Sequence, residues 1–184
     1  MRGTAMQPYW SLGTRLLHWT LALSAITCLL TSEGGGWAET VHENAGYVVL
    51  AAAALRVLLG FVGRGHWRFS QFVRGLPATL AYALSVLVHR ERRYLGHNPL
   101  GGWMVVALLA DALGAGLTGW LYTTDRFWGV EWLGELHEAL GEALIPLVLL
   151  HVAGVLFTSW RQRENLVGAM VHGRKRAPGP DDVV

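Results

Sequence analysis

The chain has 184 residues, 52% of them hydrophobic and only 15% charged, with a mean hydropathy of +0.32, more apolar than a soluble domain of this length needs for one core, so it reads as a membrane protein. Its net charge of +2 does not point to nucleic acid, because the basic residues fall between apolar runs rather than on one polar face. Cys28 is the only cysteine and lies inside an apolar stretch, which excludes a disulfide, an iron–sulfur cluster and a CxxCH motif.

In chain order, the first apolar run covers about 12–32 and lacks a small-residue cleavage site after it, so it reads as a retained span rather than a removed signal peptide. A second run covers about 42–62. Leu76 to Val88 is too short to span and is closed by His89-Arg90-Glu91-Arg92-Arg93, the pattern of a helix lying in or on the interface. The third span, about 100–123, is announced by Asn98 as N-cap and Pro99 in the first turn. Within it Gly114, Gly116 and Gly119 would let a neighbouring helix or a flat macrocycle approach closely. The fourth covers about 136–159. Each of the four approaches the roughly 20 apolar residues that a bilayer requires. The expected fold is therefore all-α: an integral membrane four-helix bundle with a short interfacial helix between spans two and three. Residues 1–176 form one domain and 177–184 a short cytoplasmic tail.

Lys and Arg set the orientation, since they stay on the cytoplasmic side. Arg2 and Arg15 flank span one; Arg64, Arg68, Arg74, Arg90, Arg92 and Arg93 fill the connection between spans two and three; Arg161, Arg163, Arg174, Lys175 and Arg176 follow span four. Both termini are expected in the cytoplasm. The opposite side offers Arg126 alone against Glu33, Glu39, Asp125, Glu131 and Glu135, with Glu43 and Glu138 at the helix entrances. Counting Leu76–Val88 as a fifth span would put the basic C-terminal segment outside, which disfavours it.

Of eight histidines, four fall in spans: His18, His42, His137 and His151. An ionisable residue at membrane depth marks a functional site by default. His137 and His151 are fourteen residues apart, on nearly one helix face and about 21 Å apart along the axis. With both termini inside, depth pairs His18 with His151 in the cytoplasmic half and His42 with His137 on the outer side. Each pair can supply both axial ligands to one haem iron in a bundle core. His42-Glu43-Asn44-Ala45-Gly46 is echoed by His137-Glu138-Ala139-Leu140-Gly141; each glycine lies one turn deeper on its histidine's face, leaving room for a porphyrin. Arg56 lies fourteen residues beyond His42, near the depth of the inner pair, where it either contacts a haem propionate or snorkels to the headgroups.

Other chemistries fit less well. A zinc-protease reading of His-Glu fails because Gly46 and Gly141 stand where a second histidine is required. A proton relay lacks carriers, since only Asp111 places a carboxylate well inside a span. A lone histidine in a span is more often a packing residue than a ligand; four at two matched depths argue otherwise. His66, His89 and His172 lie in basic loops and read as solvated, while His97 either supports the helix start or borders a quinone pocket. Trp10 and Trp19 share that depth, where tryptophans usually serve as interfacial anchors.

Arg15-Leu16-Leu17-His18-Trp19, His42-Glu43 with Gly46-Tyr47, Arg56 ahead of Gly60-Phe61, Gly96-His97-Asn98-Pro99, His137 with His151, Glu164-Asn165-Leu166 and Gly173-Arg174-Lys175-Arg176 together resemble the bacterial cytochrome b561 family, related to the b-type cytochrome subunit of nickel–iron hydrogenases. The resemblance covers roughly 8–176. It implies a four-helix membrane cytochrome with two b haems, ligated by His18, His42, His137 and His151, that exchanges electrons between the quinone pool and a redox partner. The expected function is electron transfer across the bacterial inner membrane between quinone and a periplasmic c-type cytochrome or oxidoreductase. The alternative is a superoxide oxidase coupled to quinone reduction, an activity known in the family. Superoxide is an anion and would be steered by a basic funnel, whereas the outer side here is acidic and suits a lysine-rich partner. A third possibility, a haem-free structural subunit, predicts a colourless protein.

Overall fold

A computed structural model describes residues 5–183; Arg2, counted above among the cytoplasmic charges, and Val184 lie outside them. The elements are strand β1 (Met6–Pro8), helices α1 (Leu12–Thr31), α2 (Trp37–Val62), α3 (Phe69–Phe72), α4 (Leu76–Leu87), α5 (Pro99–Tyr122), α6 (Glu131–Gln162) and α7 (Leu166–His172), and strand β2 (Arg174–Arg176). α2, α5 and α6 are long and apolar enough to cross a membrane. α1 has the length, but Arg15, His18 and its threonines dilute its apolar character. Side chains such as Leu23, Leu58, Leu149 and Leu156 stand exposed on the long helices, as expected of surfaces solvated by lipid rather than water. α4, with twelve residues, reaches only about 18 Å and is too short to span.

Two helices begin earlier than the apolar runs suggested. α2 starts at Trp37 and α6 at Glu131, so His42 and His137 sit more than a turn inside their helices rather than at the entrances. The polar first turns, with Glu39 and Glu131, place carboxylates at the positive end of each helix dipole and extend the helix beyond its apolar part. Pro146 lies inside α6 between His137 and His151, where it removes one N–H from the helical ladder. α5 begins as its signal predicts: Asn98 Oδ1 accepts from Gly101 N at 2.8 Å.

The chain divides into two compact units. The first comprises residues up to Arg15, Leu59–Val106 and Leu150 onward. Here β1 and β2 pair antiparallel, Met6 opposite Arg176 and Pro8 opposite Arg174, an addition to the all-helical expectation. Gly173 ends α7 at φ +79°, a backbone region that favours glycine. Its carbonyl accepts from Tyr9 N at 2.8 Å, and a Cβ there would lie 2.8 Å from the Trp10 carbonyl oxygen. Lys175 is not a solvated charge but 3% exposed. Its Nζ donates to the Leu95 carbonyl at 2.6 Å and stands over the rings of Tyr9 and Trp10 at 5.3 and 5.4 Å. Burial pushes its ammonium down to about 8 and the Tyr9 hydroxyl up to about 12. Arg93 forms a bidentate pair with Glu164, both contacts 3.0 Å, and also contacts Asp182. Val183 bonds to the backbone of Arg93 and Leu95.

The second unit comprises Leu16–Leu58 and Ala107–Leu149. Its buried residues include Val49, Ala53, Leu109, Ala112, Leu133 and Leu144. The glycines of α5 are used for helix contact. A Cβ on Gly116 would lie 2.9 Å from Leu50 Cβ of α2, and one on Gly114 3.1 Å from Leu140 Cδ1 of α6. Tyr47 Oη of α2 and Thr123 Oγ1 beyond α5 are 3.2 Å apart.

Candidate functional site

Two of the four intramembrane histidines converge within the second unit. The ring centroids of His42 and His137 are 6.0 Å apart. His42 Nδ1 lies 3.0 Å from the carbonyl oxygen of Cys28 on α1, and His137 Nδ1 lies 2.9 Å from that of Ala115 on α5. A carbonyl only accepts, so each Nδ1 carries the proton and each Nε2 keeps its lone pair free for a metal. Such a partner on the other ring nitrogen fixes tautomer and orientation at metal-bound histidines. Cys28 Sγ donates back to the His42 carbonyl at 3.7 Å, and Thr118 Oγ1 lies 3.3 Å from His137 Nδ1.

This geometry fits a bis-histidine haem. His42 and His137 would be the residues to hold such a group, each through the Nε2 left unprotonated, and the group would supply one-electron redox chemistry there. Gly46 and Gly141, one turn beyond His42 and His137, have nothing within 4 Å of where a Cβ would stand, so both histidines are flanked by open space. On the other side a Cβ on Gly119 would lie 2.8 Å from His137 Cε1, so α5 packs directly on that ring. An open apolar groove of about 410 Å³ runs past Leu17 and Thr20 of α1 and Val48, Ala51, Ala52 and Leu55 of α2. No cluster of three or more His, Cys, Asp or Glu is placed to hold a metal ion among the described residues, so the pair fits a macrocycle-bound iron better than a bare ion.

His18 stands on α1 in the second unit, its ring edge-on to Trp19 at 5.4 Å. His151 stands on α6 in the first unit, and Arg56, partly buried, on α2 in the second. The structure thus brings His42 and His137 together within one unit, while His18 and His151 belong to different ones. Glu33, Glu39, Glu43, Asp125, Glu131, Glu135 and Glu138 are all exposed in the second unit. They occupy its α1–α2 and α5–α6 connections and the first turns beyond them. In the first unit His97 packs against Phe72 at 4.8 Å and Trp10 at 5.3 Å. A recess beside it is lined by Tyr9, Trp10, His66, Phe72 and Tyr94.

The carbonyl anchors of Cys28 and Ala115 escape sequence reasoning, because every residue offers a carbonyl. Only Gly119, glycine in a helix interior, signals a close approach. No curated protein matches the chain. A family model described as prokaryotic cytochrome b561 matches residues 9–173, nearly the whole length. The chain belongs to the prokaryotic cytochrome b561 family, membrane b-type cytochromes that transfer electrons.

Proposed function

We propose that the protein is a dihaem electron relay of the bacterial inner membrane, with α1, α2, α5 and α6 as a four-helix bundle and both termini in the cytoplasm. In this reading His42 and His137 hold the outer haem, His18 and His151 the inner one, and Arg56 reaches an inner-haem propionate. The observation that carries it is the His42–His137 pair, with both Nδ1 atoms committed to carbonyls. A b haem with two histidine ligands supplies one-electron oxidation and reduction with no open coordination position. The protein's part is to hold both imidazoles in one tautomer, exclude water with apolar helix faces and present one end to a partner. Quinone exchanges electrons at the cytoplasmic side, and a periplasmic c-type cytochrome or oxidoreductase docks at the other.

The exposed carboxylates favour this relay over superoxide oxidation. An acidic rim repels an anionic substrate and attracts a lysine-rich protein. A pyridine haemochrome assay should count two b haems per chain. His42→Ala and His137→Ala should each remove one haem, and His18→Ala and His151→Ala the other. Equal loss of both from every variant would reject separable sites, and superoxide consumption near diffusion control would favour the oxidase.

A further inference from the structure

Asp111 is a carboxylic acid in the interior of α5, 8% exposed, and its Oδ2 meets no hydrogen-bond donor among the described residues. Its direction follows from its helix. Ala115 and Thr118, which contact His137 Nδ1, are four and seven residues further along, and a period of 3.6 puts all three on one face. Gly114 and Gly119, flanking that face, meet Leu140 and His137 of α6. Asp111 therefore lies on the stripe of α5 that packs against α6, about 6 Å along the axis from the carbonyl that orients His137.

Few charges face it there. On α6 the stripe is Leu133, His137, Leu140 and Leu144, with Leu133 and Leu144 buried, and only His137 can titrate. On α2, packed through Leu50 against Gly116, the ionisable groups besides its glutamates are His42, whose ring stands 6.0 Å from that of His137, Tyr47, whose contact is with Thr123, and Arg56, six residues past Leu50 and so near the level of Asp111, but turned about 120° from Leu50 around the helix. Glu39, Glu43, Glu138 and Glu142 are exposed. A buried carboxylate without a donor is strongly disfavoured unless a positive charge stands near. The core of an oxidised b haem is such a charge, and the reduced core is neutral.

We propose that Asp111 binds and releases a proton in step with the redox state of the haem held by His42 and His137; this rests on the haem assignment above. When one electron arrives from the redox partner, iron(III) becomes iron(II), one proton from water forms an O–H bond on the Asp111 carboxylate, and the local charge is unchanged. On re-oxidation the electron leaves and the proton returns to water. Compensation of this kind matters because an uncompensated charge is costly in a low-dielectric interior.

The test uses the purified holoprotein in lipid nanodiscs. A haemochrome count comes first, so that a missing outer haem, which would overturn both readings, is seen before any pH is varied. Potentiometric titration from about pH 6 to about pH 9 should then show an outer-haem midpoint that falls with rising pH. The limit is about 59 mV per unit, the one-electron equivalent of tenfold in proton activity. Asp111→Asn should flatten the slope, and Glu142→Gln, at an exposed site of α6, should retain it. Should Asp111→Asn not fold, the redox-difference infrared spectrum of the unaltered protein decides the question. A protonated carboxyl band should appear on reduction and shift when aspartate is labelled with carbon-13. A pH-independent outer-haem midpoint, a slope that survives Asp111→Asn, or the absence of a labelled carboxyl band would each overturn the proposal.

Discussion

His137 is fixed against α5 from two directions: its Nδ1 lies 2.9 Å from the carbonyl oxygen of Ala115, and its Cε1 lies 2.8 Å from where a Cβ on Gly119 would stand. The ring can neither turn nor retreat without losing a hydrogen bond or opening a void. Gly119→Ala should therefore displace the imidazole, with an overpacking cost of about 1–3 kcal/mol. If His137 holds the outer of two haems as proposed, the absorbance of that haem should fall while the signal of the other persists. Gly116→Ala meets Leu50 at 2.9 Å instead, and should lower the melting temperature with both haem signals kept in proportion. A redox-difference spectrum and a thermal melt of each variant separate the two outcomes.

A milder change at the same ring tests its electronics. Thr118 Oγ1 lies 3.3 Å from His137 Nδ1 and also donates to the Gly114 carbonyl at 2.8 Å. Thr118→Val keeps the shape and removes the hydroxyl. Outer partners of this kind tune a metal ligand's basicity. If His137 is a haem ligand as proposed, the expected result is full haem content with a changed midpoint of the haem it holds in a potentiometric titration.

Much of this was legible in the sequence because it follows from periodicity. The four long helices, the Asn98-Pro99 start of α5 and the fourteen-residue spacing of His137 and His151 all need only local rules. Three features did not. Apolar counting does not reach the helix starts at Trp37 and Glu131, because it stops where side chains turn polar although the backbone ladder continues. The burial of Lys175 depends on Tyr9, Trp10 and Leu95, remote in sequence, so composition reads it as one more solvated cation. The carbonyls of Cys28 and Ala115 carry no residue-type signal, so sequence names His42 and His137 as neighbours in depth but does not orient their rings.

Lys175 gives the fold a pH dependence of known sign. Its ordinary value of 10.5 falls to about 8 in the folded chain, chiefly through burial. Between those values the unfolded chain holds a proton that the folded chain has released, so stability rises with pH across that window. Below pH 8 the buried ammonium exacts its full cost, roughly 3 kcal/mol by the usual conversion. Lys175→Met should remove this term. Melting temperatures of the variant and the unaltered protein, compared from about pH 7.5 to about pH 10, should differ most in favour of the variant at the low end, and the unaltered protein should gain on it as pH rises.

The Arg93–Glu164 pair is a case where one partner cannot be removed safely. Their side chains are only 8% and 5% exposed, and Glu164 Oε1 also accepts from Arg176 N at 2.8 Å. Arg93→Ala leaves that carboxylate buried without its cation, which typically costs about 3–5 kcal/mol. Arg93→Ala together with Glu164→Gln should recover much of the loss. Chemical denaturation of the two variants in one detergent measures the difference.

The exposed carboxylates around the His42–His137 end predict how a partner is found. Glu131, Glu135 and Glu138 lie in the first two turns of α6, and Glu33, Glu39 and Glu43 in and after the α1–α2 connection. Exposed charges act at a range set by the Debye length, about 10 Å at 0.1 M salt. They govern encounter more than the stability of the final contact. If the partner is a lysine-rich c-type cytochrome as proposed, electron transfer to it should therefore slow steeply as ionic strength rises. Glu131→Lys with Glu135→Lys should lower the second-order rate several-fold at low salt and leave it nearly unchanged at high salt, with the haem midpoints unaltered. Stopped-flow kinetics at several ionic strengths checks this, and a salt-independent rate with the unaltered protein would remove electrostatic docking from the account.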